Sequence, residues 1–223
     1  MNVLRLTWLL LRKDLVVHAR TREVPGLMLL FAVLCVVVFA FAFLRSGDIA
    51  RTYVPGVLWV TLLFSGTVGL LRLFGPEEEG GALELVSRTS AGALPLFLSK
   101  VALQFLFSGL VTALVVPLTL VFFATDLVGG ATIAAALLLG LVGQAVLGTL
   151  CSALMVQVRL REVLLPLVLY PVMAPVLLAG VKVTALALNG GDPAVIAGWL
   201  ELMVGFDVIF LFLAPWLHGR VAA

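Results

Sequence analysis

Residues 127–158 carry no charge, and five other apolar runs of similar character accompany this one along the chain. A bilayer core takes about 20 apolar residues of helix to cross, and no strand or ordinary core helix needs so long an uncharged run. The spacing predicts six spans at about 26–44, 54–71, 101–124, 129–151, 163–181 and 199–217. The fold class expected is therefore an all-α membrane protein with six transmembrane helices. The uncharged run exceeds one membrane thickness, so the fourth helix should extend past the bilayer at one end.

With 63% hydrophobic residues, 12% charged residues and a mean hydropathy of +1.23, no soluble core accounts for the chain. A secretory signal peptide does not fit the N-terminus. Leu6–Leu11 is too short for its apolar core, Arg12-Lys13-Asp14 interrupts it, and no small-residue cleavage site follows. Cys35 and Cys151 both sit in apolar runs, which suits packing and excludes a disulfide framework.

Basic residues orient the spans, because they are retained on the cytosolic side. Of fourteen Lys and Arg, only Arg45, Arg51 and Lys182 fall on the other side of the six-span arrangement. Both termini and the polar loop between spans two and three are thus expected in the cytosol. Residues 2–24 form a helical segment with Arg5, Arg12, Lys13 and Arg20 on one side and Leu4, Trp8, Leu11 and Leu15 on another. Such a helix suits the membrane interface; the alternative is a cytosolic helix packed on the protein itself.

The polar island at 72–100 holds four of the twelve acidic residues. Pro76 suits a first helical position, Glu77, Glu78 and Glu79 complement the positive end of a helix dipole, and Glu84 with Arg88 forms an i,i+4 pair. Ala82, Leu83 and Val86 give this short helix a small apolar face, while Gly80-Gly81 weakens it. A marginal helix with an apolar face suggests a partner; a solvated connector is the plainer reading.

Within the spans, Gly140, Gln144, Gly148 and Ser152 recur every four residues, and Ser65 with Gly69 does the same on a smaller scale. Small faces of this kind let helices approach closely, with a substrate path as the alternative. Pro166, Pro171 and Pro175 should kink or interrupt the fifth span. Asn189-Gly190-Gly191-Asp192-Pro193 is a strong turn signal, and residues 183–198 around it read as a helical hairpin in the outer leaflet. Asp207 lies inside the sixth span and needs a partner there, whereas Glu201 is near its outer end. Asp207, Glu201 and Gln144 are the intramembrane polar candidates for a translocation path.

No Gly-x-x-x-x-Gly-Lys-Ser/Thr occurs, so the chain lacks that route to nucleotide hydrolysis. No Ser-His-Asp or paired-histidine arrangement is visible, no metal site is expected, and an enzyme is not the reading. His18 and His218, both outside the spans, read as surface histidines rather than an axial pair for haem.

Pro55-Gly56-Val57-Leu58-Trp59-Val60, the loop Glu77-Glu78-Glu79-Gly80-Gly81-Ala82-Leu83-Glu84, and Phe206-Asp207 with Pro215-Trp216 resemble the CcmB family, a membrane component of the cytochrome c maturation haem exporter. Leu11-Arg12-Lys13-Asp14-Leu15, followed by Arg20-Thr21-Arg22-Glu23, fits the same pattern, and the resemblance runs from about residue 8 to 217. It implies one permease domain over 1–223, of the ABC-2 (type V exporter-like) class, in a bacterial inner membrane. It further implies a second copy of the chain, a CcmA-like ATPase carrying ATP and Mg, CcmC-like and CcmD-like membrane proteins, and a periplasmic CcmE-like haem chaperone. Haem is then the candidate substrate, with no cofactor bound by this chain and no nucleic acid. By the same resemblance, the loop is a coupling helix in which Glu77, Glu78, Glu79, Ala82, Leu83, Glu84 and Val86 meet the ATPase, and residues 2–24 match an interfacial elbow helix. The alternatives are an ABC-2 permease for a lipid or drug, a non-transporting scaffold, or a secondary transporter built around Asp207.

Overall fold

The computed structural model describes residues 3–43, 50–75 and 93–221. They form seven helices: α1 (Val3–Thr21), α2 (Glu23–Phe43), α3 (Ala50–Arg72), α4 (Ala93–Phe122), α5 (Gly130–Met155), α6 (Arg161–Leu188) and α7 (Pro193–Val221). Six of them, α2 to α7, are long and apolar enough to cross a membrane. The loop residues Glu77, Glu78, Glu79, Ala82, Leu83, Glu84 and Val86 lie outside the described residues.

Local chemistry explains the breaks. Arg22 adopts φ 51, in the left-handed region that ends a helix, and α2 starts at the next residue. Between α6 and α7 the amide of Gly191 donates to Leu186 O (2.8 Å), with Gly190 at φ 66 allowing the reversal. Asp192 then caps α7, its Oδ1 accepting from the Ala194 amide at 2.9 Å, and Pro193 occupies the first helical position. The turn read from 189–193 is therefore present. Its two arms are the last turns of α6 and the first turns of α7, each continuous with a flanking span.

Two further expectations are revised. Of the kink or interruption expected from the three prolines of the fifth span, the interruption does not occur: α6 is one helix of 28 residues. Pro171 and Pro175 sit on its exposed side, so their rings do not force neighbouring helices apart. The third span, expected to begin near 101, is the 30-residue α4 starting at Ala93. At about 1.5 Å per residue, α4 is roughly 45 Å long against a hydrocarbon core of about 30 Å, so its first turns project beyond the core.

The bundle is built around α3 and α5. α3 packs against α2, α4, α5 and α6, and α5 against α4, α6 and α7, while α1 lies along α4. Met28, Ala32, Val36 and Ala40 recur every four residues and are the buried stripe of α2. The opposite side of α2 exposes Leu30, Leu34, Val38 and Phe41, and α7 exposes Ile209 and Phe212. Apolar surface on that scale requires an apolar solvent.

Candidate functional site: two polar seams in the bundle

The first seam holds α1 against α4. Asp14, the acidic residue of α1, is buried with Leu11 and His18 on one face. Its Oδ2 lies 2.9 Å from Lys100 Nζ, and the two side chains are 1% and 0% exposed. Lys13 Nζ approaches the other carboxylate oxygen at 3.1 Å from the solvent side. Lys100 also stands 5.6 Å from the centre of the Phe74 ring, at the end of α3, within the range of a cation–π contact. Lys100 thus joins α1, the last residues before the 76–92 segment, and the first turns after it.

His18 belongs to this seam, which corrects its reading as a surface histidine. It is buried, its ring meets Phe107 edge-on at 5.4 Å, and its Nδ1 donates to Asp14 O at 2.8 Å. A carbonyl only accepts, so Nδ1 carries a proton. The apolar side read from Leu4, Trp8, Leu11 and Leu15 divides accordingly. Leu11 is buried and Leu15 half-buried, while Leu4 and Trp8 face outward.

The second seam runs along α3. Gln144 Nε2 of α5 donates to Leu63 O at 3.0 Å and Leu62 O at 3.4 Å. Gln104 Nε2 of α4 donates to Gly66 O at 3.0 Å and also reaches Ser108 Oγ at 3.0 Å. Ser152 Oγ donates to Leu70 O at 2.8 Å. One side of α3 therefore receives side-chain donors from both neighbouring helices over more than two turns. Carbonyls in an apolar bundle have no water to turn to, and such bonds contribute about 0.6–2 kcal/mol each.

The face Gly140, Gln144, Gly148, Ser152 is buried throughout and packs on α3, with Trp59 over Gly140 and Leu70 over Gly148. Trp59 is wedged between Gly140 and Gly180, and its Nε1 donates to Thr184 Oγ1 at 3.0 Å, linking α3, α5 and α6. Ser65 turns inward to its own Leu62 O (3.2 Å), and Gly69 admits Met28 of α2.

Of the three intramembrane candidates, two lie at one level of α5. Gln144 points to α3, and the adjacent Gly143 faces Asp207 of α7, so close that a Cβ on Gly143 would stand 2.7 Å from Asp207 Oδ1. Asp207 is 4% exposed, and its carboxylate has no hydrogen-bond partner among the described residues. Glu201, by contrast, is exposed and apart from both. Gln144 also borders a small apolar crevice of about 10 Å³ between α3, α5 and α6. Among the described residues, no group of three or more His, Cys, Asp or Glu side chains is placed to hold a metal ion.

Asp14, Lys100, His18 and Gln104 are seam residues that the sequence reading does not single out as a site. A signal for Asp14 exists: Leu11, Asp14 and His18 share a helical face away from Arg5, Arg12 and Arg20. One exists for Lys100 as well, a lone charge among uncharged residues 89–99 and 101–125.

Comparison with known proteins places the chain in a family. The model of the family described as "CcmB protein" matches residues 5–221. "Heme exporter protein B" of Paracoccus denitrificans is 31% identical over 210 residues, covering 92% of this chain and 93% of that protein. The proteins of the same name from Rhodobacter capsulatus and Pseudomonas aeruginosa are 28% and 29% identical over 206 and 207 residues. They cover 92% and 93% of this chain, and 93% and 91% of their own lengths. With six apolar helices and a family match over nearly its whole length, this chain is a multi-pass membrane protein belonging to the CcmB family.

Proposed function

We propose that this chain is the membrane-spanning permease of a haem exporter serving cytochrome c maturation. The observation that carries this reading is the match to the CcmB family from residue 5 to residue 221, together with relatives named "Heme exporter protein B" aligned over more than nine-tenths of the chain. Haem is the substrate class, and the energy comes from a separate ATPase chain, since this sequence has no phosphate-binding loop of the Gly-Lys-Ser/Thr type. An ABC-2-type assembly, with two copies of this chain and two of the ATPase, accommodates that division of labour. CcmC-like, CcmD-like and CcmE-like proteins are its further partners.

In this reading the N-terminus, the 76–92 segment and the C-terminus face the cytosol of a bacterial inner membrane, supported by the bias of eleven basic residues to three. Glu77, Glu78, Glu79, Ala82, Leu83, Glu84 and Val86 form the contact with the ATPase. The buried Lys100 supports this arrangement, because it links α1, α3 and α4 where the segment leaves and re-enters the bundle. Asp207 and Gln144 are the polar groups through which movement of α7 and α5 would reach the bundle interior.

Purifying the tagged chain from its native membrane tests the assembly. An ATPase and a CcmC-like protein should co-purify in amounts comparable to the bait. A chain recovered alone, after solubilisation that keeps other membrane complexes intact, would argue against it.

A further inference from the structure

The corner between α1 and α2 opens onto a groove of about 220 Å³ against α4. Its walls are apolar, with Leu29 on one side and Leu110, Val111 and Leu114 on the other, and Arg22 stands at its mouth. Gly26 leaves the floor open, since nothing lies within 4 Å of where its Cβ would be. Leu110 and Leu114 are 55% and 46% exposed in the protein alone, so the groove needs an apolar occupant.

Arg22 is held in place rather than trailing from a loose loop. Its left-handed backbone, φ 51, is bracketed by hydrogen bonds from its own amide to His18 O (2.8 Å) and from the Gly26 amide to its carbonyl (3.1 Å). The Asp14–Lys100 pair fixes α1 to α4 two turns earlier, so the backbone of Arg22 keeps its position relative to the groove.

The charge within the groove is positive. Arg22 is the one charged residue of the lining, Asp14 is engaged by Lys100, and the exposed Arg20 and Glu23 on either side of the corner offset each other. An apolar trough with one guanidinium in its lining suits an amphiphile with a chain and an anionic head. A second protein helix would fill the trough and answer Arg22 only by bringing a carboxylate to it.

We propose that this groove is a binding site for one anionic phospholipid, its phosphate held by Arg22 and an acyl chain lying along Leu29, Leu110 and Leu114. A zwitterionic lipid carries its own cation and gains less at such a site. The inference rests on the membrane setting alone and is independent of what the protein transports.

The test is native mass spectrometry of the purified full chain, loaded with equal phosphatidylglycerol and phosphatidylcholine and then washed with detergent. The wild type should retain one phosphatidylglycerol in preference to phosphatidylcholine. Arg22→Asn removes the cation yet tolerates the left-handed backbone, and should lower that retention about fivefold, the change given by about 1 kcal/mol per basic residue at an anionic surface. Arg22→Lys should keep most of it, Arg20→Gln all of it, and Leu114→Trp should block both lipids by filling the trough. Equal retention by Arg22→Asn and wild type, an equal fall with Arg20→Gln, no preference between the lipids, or a second copy of the chain in place of lipid would each overturn the proposal. Should Arg22→Asn aggregate, Leu114→Trp, which leaves the corner untouched, decides by the same measurement.

Discussion

Lys100 Nζ lies 2.9 Å from Asp14 Oδ2, and neither side chain reaches solvent. Removing one member of such a buried pair costs up to about 3–5 kcal/mol, with Lys13 offsetting part of it for Asp14, whereas replacing both with apolar groups of similar volume is often neutral. Asp14→Ala or Lys100→Ala should therefore lower the melting temperature of the detergent-solubilised protein sharply, and Asp14→Leu with Lys100→Met should recover most of the loss. Three variants that melt alike would mean that α1 is held by its apolar contacts alone.

Trp59 offers a test of packing. Adding a methyl at Gly180 would drive it into the indole, which cannot retreat because Gly140 lies on its other face and Thr184 holds its Nε1. Gly180→Ala should destabilise the bundle by about 1–3 kcal/mol. Gly198→Ala, in α7 with nothing within 4 Å of the new methyl, should be neutral or mildly stabilising. Thermal unfolding of the two variants side by side checks this; equal melting would show that the Trp59 wedge adjusts freely.

Much of this architecture is legible in the sequence because its cause is local. The four-residue repeat of Gly140, Gln144, Gly148 and Ser152 announces a helix–helix face, and the structure puts α3 on it. Asn189 to Pro193 contains its own reversal and cap. The Asp14–Lys100 seam is not legible in that way, since it depends on which face of α1 meets which part of α4. A run of charges at Arg12-Lys13-Asp14 looks solvated until tertiary contact selects one of them for burial. Continuity of α6 through three prolines also depends on context, because Pro171 and Pro175 take its exposed side while Leu165, Leu169, Met173 and Val176 anchor the other.

Asp207 separates structural from functional roles. Its buried carboxylate has no partner among the described residues, so removing it relieves a desolvation cost rather than breaking a bond. Asp207→Leu should leave the melting temperature unchanged or raised while reducing the yield of mature c-type cytochromes, and Asp207→Asn should be milder. A fall in stability with Asp207→Leu would assign the carboxylate to structure; wild-type behaviour in both assays would make it a bystander.

The 76–92 segment carries the proposed link to the ATPase. A cysteine introduced at Ser87 should react with an impermeant thiol reagent only after the membrane is opened, because the segment is proposed to face the cytosol; the unsubstituted chain, with Cys35 half-buried and Cys151 buried, gives the background. Leu83→Asp should release the ATPase, since fully burying a leucine contributes about 1.5–3 kcal/mol. Glu77→Lys should weaken it less, as exposed ion pairs contribute about 0–1 kcal/mol. Co-purification of the ATPase measures both, and a Leu83→Asp chain that retains its partner would reduce the segment to a connector.

Haem-stained gels of membranes from a strain lacking the chain test most directly whether this protein serves cytochrome c maturation as a haem-exporter permease. Covalently haem-bearing c-type cytochromes should disappear, b-type haem should persist, and the wild-type chain supplied in trans should restore the bands. Normal c-type cytochromes in the deletion strain would contradict that role.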